Sequence, residues 1–406
     1  MNDRLIWMWL SLHFGAGSRI YQKLYNHFGT VEAIYDSDDS DVALMDWLNI
    51  SNKKKLLDKN LSHAEEVLEW CSENNVGVVT PSDSNYPEPL RLIEDYPAVI
   101  YYKGKLPDFK SNLFISVVGT RKMSIYGQKN AYELGFGLAK GGATVISGMA
   151  LGIDCTAQKG ALYAGGSSIA VLGSGIDVCY PSQNRKLMDK IIDVGAVITE
   201  YPPHTPPTGS NFPVRNRLIS ALSPATVVVE ADKNSGALIT ARRALKQGKT
   251  LFAFPGPVKN FSTEGTNQLL TEGARVATCA IDVLEQFLDI FGHTINLSAS
   301  KERPTFEKTL KVATSFNTDS FYGQSSDESK KVVVEPKKEI IKETFDTSNL
   351  TPEQKQVYDA MEFNKSNSQD KLIELGFEPS KLASTLMMLE IAGAIESIPG
   401  GYYIKK

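Results

Sequence analysis

The chain has 406 residues and a mass of 44.6 kDa, with 42% hydrophobic and 22% charged residues. That is enough apolar content for a large core, and at ~100–200 residues per domain it predicts roughly two to four domains. The net charge of −4 conceals a segregation. It is −6 over residues 1–110, +4 over 111–296, zero over 297–349 and −2 over 350–406, so an anionic ligand is expected on the central block. The apolar run Leu5–Leu10 is far short of the roughly 20 residues of a bilayer span, and no small-residue cleavage site follows it. Neither a membrane span nor a signal peptide is expected. Four cysteines without a CxxC pair and five scattered histidines exclude a zinc ribbon, show no metal-ligand cluster and point to a reducing cytoplasm.

Residues 1–75 read as helical. Leu5, Trp9 and Leu12, then Ile20, Leu24 and His27, recur at helical spacing. Between them lies Phe14-Gly15-Ala16-Gly17-Ser18. Such a hairpin can offer backbone N–H groups to a phosphate, with Arg19 and Lys23 assisting, but the acidic block favours a plain interhelical turn.

Residues 76–296 alternate strands and helices. Strands are expected at Val76–Val79, Pro97–Tyr102, Phe114–Val118, Ala143–Ile146, Ile169–Leu172, Ala196–Thr199, Ala225–Val229 and Thr250–Phe254. Their β-branched runs hardly alternate, as in strands buried on both faces. Helical stretches such as Tyr126–Lys140 and Ala237–Gln247 separate most of them. The pattern predicts an α/β fold with a doubly wound parallel sheet. Residues 297–349, rich in Ser, Thr, Asn and Lys, read as a flexible linker. Residues 350–406 read as three helices and a hairpin, a winged helix. Thr351-Pro352 caps the first helix, further helices follow at Ser368–Leu375 and Pro379–Ala392, and strands Ala394–Ile398 and Tyr402–Lys405 close the unit.

In open α/β sheets ligands bind beyond the carboxyl ends of the strands. Gly119-Thr120-Arg121, Ser147-Gly148, Gly173-Ser174-Gly175 and Ser235-Gly236-Ala237 fall at such ends. Glycine admits an anion close to the backbone, and helix starts favour negative charge, so these turns could form a row of phosphate sites. Alternatively, the glycines merely close turns. The densest basic element is Asn211-Phe212-Pro213-Val214-Arg215-Asn216-Arg217. Arginine contacts phosphates bidentately and Phe212 offers a stacking face to an unpaired base. The competing reading places Phe212 in the core and pairs the arginines with Glu200 and Glu230. Asp154, Asp177, Glu200 and Glu230 could serve as acids and bases, but no HExxH, Walker lysine or GxGxxG motif is present.

The stretches Val117–Arg121, Ser147–Asp154, Leu172–Asp177, Tyr180-Pro181 with Asn184, Glu200-Tyr201-Pro202, Phe212–Ile219, Ser235–Ala241, Pro255-Gly256 and Glu264–Leu270 together resemble the DNA-processing protein A (DprA/Smf) family. Tyr86-Pro87 and Pro97 through Gly104 fit as well. The resemblance spans roughly residues 76–290 and implies an extended Rossmann-like domain. The helical N-terminal (SAM or helix-hairpin-helix-like) and winged C-terminal modules occur in many members. It further implies a cytoplasmic bacterial protein of natural transformation that binds single-stranded DNA, dimerises and loads the recombinase RecA onto strands covered by single-strand binding protein. No catalytic activity and no cofactor are implied. By motif, Arg121 and Arg185 would contact phosphates and Phe212 a base, with Arg215, Asn216 and Arg217 beside it. Gly119, Ser147, Gly148, Gly173, Ser174, Ser235 and Gly236 would line the strand, and Asn267 and Leu270 would serve the homodimer. Some members carry a lysine where Gly209 stands here.

Two rival readings are an enzyme that cleaves nucleoside monophosphates and a winged-helix transcription factor. The first typically carries PGGxGTxxE where this chain has Ser235-Gly236-Ala237-Leu238-Ile239-Thr240. The second calls for a basic groove-reading helix, whereas residues 350–406 are net acidic and contain no arginine.

Overall fold

A computed structural model of the chain describes residues 2–304, 350–361, 366–368, 372–373, 375–398 and 402–405. It divides into two compact units, Met1–Gly323 and Gln324–Lys406.

The first unit opens with α1 (Asp3–Phe14), capped by the Asn2 side chain, and α2 (Ile20–Phe28). Ile6 through Leu10 are all buried, so α1 is apolar around its whole circumference and is enclosed by other elements. Its neighbours in that core include Ala98, Tyr101, Leu172, Leu187 and Ile191 from the sheet region. The helical block therefore shares a core with the sheet and does not form the separate module expected at 1–75.

Among the described residues nine strands form one sheet: β1 (Gly77–Val79), β2 (Ile100–Gly104), β3 (Phe114–Val118), β4 (Thr144–Ser147), β5 (Ser168–Val171), β6 (Ala196–Thr199), β7 (Ala225–Val228), β8 (Thr250–Ala253) and β9 (Arg275–Val276). Their order is β1-β2-β6-β5-β4-β3-β7-β8-β9. β6 through β9 run parallel, whereas β2 is antiparallel to both β1 and β6. Alternate residues of β3 enter different cores. Phe114 and Val118 meet Leu218 and Leu238 on one face, and Ile115 and Val117 meet Leu134 and Ala157 on the other. Both faces are covered, which is why the strands lack polar alternation. The chain moves outward from β3 through β4 and β5 to β6, then crosses back to β7, so the topological switch point lies between β3 and β7.

The helices that shape the carboxyl edge are α3 (Ile125–Lys140), α4 (Ile153–Tyr163), α5 (Arg185–Val194), α6 (Asn211–Ala221), α7 (Ala237–Lys246) and α8 (Glu264–Thr271). Structure continues beyond the expected boundary at 296. A short helix, Leu297–Ser300, packs Leu297 on the core and buries Ser300, and the Asn296 amide donates to Gly141 O at 3.1 Å. The rest of the expected linker, 305–349, lies outside the described residues.

The second unit contains α9 (Pro352–Ala360), α10 (Pro379–Ile391) and a three-stranded sheet of β10 (Ser366–Ser368), β11 (Ile395–Ile398) and β12 (Tyr402–Lys405), in the order β10-β12-β11. Thr351 and Gln354 form a capping box on α9. β10 is an addition to the expected hairpin. Of the helix expected at Ser368–Leu375, Ser368 belongs to β10 and Leu372–Ile373 is helical; 369–371 and 374 lie outside the described residues. No helix of the described residues is long and apolar enough to cross a membrane.

Candidate nucleic-acid interface

The carboxyl edge of β3, β4 and β5 meets the first turns of α6 at a small cluster. The Phe212 ring is half-buried. The Arg121 guanidinium lies 5.0 Å from its centroid and that of Arg215 lies 5.7 Å away, both within cation–π range. The Tyr180 ring stands 5.5 Å away at 31°. Arg121, Gly148, Ala150, Leu151, Tyr180, Pro181, Phe212 and Arg215 surround a cavity of about 40 Å³. Arg121 is exposed, and Tyr180 and Leu151 are exposed at 41% and 44%.

Arg215 is 4% exposed. Its Nη1 donates to Gly148 O at 2.9 Å and to Val171 O, and its Nε to Asn216 Oδ1 at 3.1 Å. Beneath it lies Asp154, buried, whose Oδ2 accepts the Gly148 amide at 3.1 Å. Burial raises the Asp154 carboxyl pKa, and Arg215 opposes that rise. Burial lowers the Arg215 pKa to about 10, with Asp154 opposing. This pair is a support that ties the ends of β4 and β5 to α6, in place of the solvent-facing phosphate contact expected of Arg215. The half-buried Asn216 shares in that support.

For Arg217 the competing reading, pairing with Glu200, holds. Arg217 is 1% exposed and paired with Glu200, itself 2% exposed, while its Nε lies 3.7 Å from Asp95 Oδ2. Burial raises the Glu200 pKa, with Arg217 opposing. The other Glu200 oxygen accepts the amide of Gly17 at 3.0 Å. An Arg217 so enclosed holds the helical block to α6 and is removed from the candidate interface. The Gly15–Gly17 turn likewise directs its N–H at a carboxylate of the chain itself.

The small residues at the strand ends also serve the interior. A Cβ on Gly148 would lie 2.6 Å from the Arg215 guanidinium, and one on Gly173 would lie 2.9 Å from the Phe212 ring. A Cβ on Gly119 would approach Ile153 Cγ1 to 2.5 Å. The Ser147 hydroxyl donates to Val117 O at 2.6 Å and that of Ser174 to Val178 O at 3.0 Å, both serines being buried. The Gly148 amide is engaged by Asp154 and that of Thr120 by Glu230 O at 2.7 Å. At Gly119, Gly148 and Gly173 the space a Cβ would fill is taken by side chains of the chain itself, whereas a Cβ on Gly236 would meet nothing within 4 Å. Ser235 and Gly236 sit at the start of α7, across β3 from the cluster. Arg185, at the start of α5, is exposed and pairs with Asp189 at 3.3 Å.

Glu230 is fully buried, and its Oε2 accepts the Ser124 amide at 2.9 Å at the start of α3. That is the switch-point position where dinucleotide-binding sheets seat a phosphate; here the chain's own carboxylate fills it. Asp177 pairs with His204 at 2.7 Å. All four acids considered as acid–base groups thus have internal partners.

Near α8, Asn267 grips the backbone of Gly256, accepting its N–H at 3.1 Å and donating to its carbonyl at 3.0 Å. Leu270 is partly buried against the core. The exposed apolar side chains on the segment leading into α8 are Val258 (87%) and Phe261 (65%), which the sequence reading did not single out. In the second unit, α10 carries one basic residue, Lys381, and exposes Met387 and Met388.

A doubly wound sheet with an arginine–aromatic cluster at its carboxyl edge, in a chain that also carries a winged unit, defines a class of Rossmann-type proteins without a dinucleotide motif. The family described as DNA recombination-mediator protein A matches residues 77–288, and the DprA winged helix domain matches 342–401. The chain is 32% identical over 357 residues to Protein Smf of Escherichia coli, covering 87% of this chain and 84% of that one. It is 40% identical over 205 residues to DNA processing protein DprA of Streptococcus pneumoniae, covering 50% and 72%. The crystal structure of DprA from Streptococcus pneumoniae superposes with a TM-score of 0.61 at 30% identity, covering 70% of this chain and 98% of that chain. The chain belongs to the DprA/Smf family of DNA-processing proteins.

Proposed function

We propose that the carboxyl edge of the sheet binds single-stranded DNA without cleaving it. The observation that carries this reading is the Arg121–Phe212 stack beside exposed Tyr180. Arginine neutralises phosphate, and an aromatic ring at an open edge serves a strand whose base faces are free. Arg121 and Phe212 make the contacts, Gly148, Gly173, Asn216 and Arg215 support them, and Arg185, Ser235 and Gly236 flank the path. Internal pairing of Asp154, Asp177, Glu200 and Glu230 favours binding over bond-making. Relatives named for DNA processing and recombination mediation support hand-over of the strand to the recombinase RecA, from DNA covered by single-strand binding protein, during natural transformation. A homodimer formed through the segment around α8 would double the site and raise effective concentration on one strand. The acidic winged unit, with methionines on α10, suits a protein partner better than a DNA groove.

The test is titration of the full chain with a thymidine homopolymer and with a duplex of equal length across a salt series. Preference for the single strand is expected, with log affinity falling against log salt by about 0.7 per phosphate neutralised. Equal affinity for the duplex overturns the reading.

A further inference from the structure

We propose that Tyr180 is a second base-stacking residue, so that the edge seats two bases on a two-ring platform. The inference rests on the single-strand reading and extends it to a side chain that the arginine–phenylalanine cluster does not require. Tyr180 is 41% exposed although it packs on an aromatic neighbour. A ring recruited only to shield Phe212 would be expected to bury its own surface as well, because exposing a large apolar face forgoes the gain of burial. The ring is flanked by Pro181 and Leu151, and Leu151 is itself exposed at 44%. The platform is therefore apolar at its centre and charged at its rim by Arg121. That combination, an aromatic floor beside a cation that tracks the backbone, suits successive unstacked bases of any sequence.

The centroid separation of 5.5 Å at 31° leaves no room for a base between the rings, since stacked π-systems lie ~3.5–4 Å from each neighbour. A base that stacks on Tyr180 therefore lies on that ring's exposed surface, apart from a base held at Phe212, whose ring already carries Arg121 at 5.0 Å and Arg215 at 5.7 Å. A duplex keeps its bases stacked on one another and meets neither surface, so the second ring deepens discrimination for the single strand.

The experiment measures binding of the full chain, wild type and Tyr180→Ala, Tyr180→Leu, Tyr180→Trp and Arg121→Ala, to a thymidine homopolymer and to an abasic deoxyribose-phosphate strand in a salt series. Tyr180→Leu keeps apolar packing on Phe212 without a π-face, so it answers the question even if the alanine variant loses structure. Tyr180→Ala and Tyr180→Leu are expected to weaken homopolymer binding roughly 5- to 150-fold, with Tyr180→Trp close to wild type. The slope of log affinity against log salt should stay unchanged, because no phosphate contact is removed. Affinity for the abasic strand should not change. Homopolymer affinity of Tyr180→Leu within twofold of wild type, an equal loss on the abasic strand, or a flattened salt slope each overturns the proposal. Arg121→Ala reports separately on the parent reading: it should flatten the slope by about 0.7, and its failure to do so counts against the site rather than against Tyr180.

Discussion

The amide of Gly17 donates to the carboxylate of Glu200 at 3.0 Å, across 183 positions of sequence. The other oxygen of that carboxylate is paired with buried Arg217 on α6, the helix whose first turns carry Phe212 and Arg215. One carboxylate thus connects the turn of the helical hairpin, the end of β6 and the helix that builds the candidate interface. Gly17 has φ +73°, and a Cβ there would lie 2.7 Å from Val214 Cγ1, so the turn is closed to other residues by strain and space together.

Breaking this connection should destabilise the first unit. Glu200→Ala leaves Arg217 buried without its main counter-charge, which costs on the order of 3–5 kcal/mol. Gly17→Ala should cost about 1–3 kcal/mol through overpacking and strain. Urea unfolding of both variants checks this. Stability within error of wild type would show that the helical block sits on α6 by apolar contact alone.

Arg121 and Arg217, both read from sequence as strand contacts, should separate cleanly. Arg121→Ala removes an exposed guanidinium and should lower single-strand affinity roughly tenfold or more while leaving the unfolding curve in place. Arg217→Ala strands the buried Glu200 carboxylate and should lose about 3–5 kcal/mol of stability. Parallel fluorescence titration and urea melts distinguish the two. A stable Arg217→Ala that binds poorly would return that residue to the interface.

Self-association should depend on the exposed apolar pair before α8. Val258→Glu with Phe261→Glu adds charge where a dimer would desolvate it, and light scattering should then report monomers. Asn267→Ala should instead loosen the Gly256 backbone that it grips, lowering the melting temperature. Unchanged mass in the double variant would place the dimer surface elsewhere.

A pH-dependent contribution comes from Asp83. Burial alone would raise its carboxyl pKa, but hydrogen bonds from Arg4 and Thr80 outweigh that and hold it below the ordinary value of 3.8. A carboxylate depressed on folding stabilises the native state above its unfolded pKa and loses that contribution as pH falls through the lower folded value. Asp83→Asn should therefore be roughly 0.5–1 kcal/mol less stable than wild type near neutrality. The gap should close as pH falls below about 3.8. A constant gap down to acid pH would assign the effect to packing.

The sheet was legible because its strands are short β-branched runs ending in turn residues, and because a sheet covered on both faces leaves no polar alternation to confuse them. β10, with the sequence Ser-Asn-Ser, carries no apolar signal and was invisible. The antiparallel pairing of β2 was equally hidden, since a run such as Ile100–Gly104 reads the same in either direction. At the site, Arg121 was readable as a cation at a strand end and Phe212 as an aromatic ring within a basic run. What could not be read was which arginine turns inward. That depends on Glu200 lying opposite Arg217 and Asp154 beneath Arg215, neighbours brought close by the crossover connections. The glycines are ambiguous for a related reason: a missing Cβ makes room equally well for a phosphate or, as at Gly148, for a guanidinium, and sequence does not say which arrives.

The core shared by α1 and the sheet sets an order on synthesis. Trp7 and Trp9 share that core with residues as far along the chain as Leu187, Ile191 and Val197, so their synthesis is separated by an interval. At ~5–20 residues per second, the interval is roughly 10–40 s. During that time α1 has Tyr21, Leu24, Val31 and Ile34 of its own block as partners but not yet the sheet, so the helical block is expected to gather around α1 before the sheet closes over it.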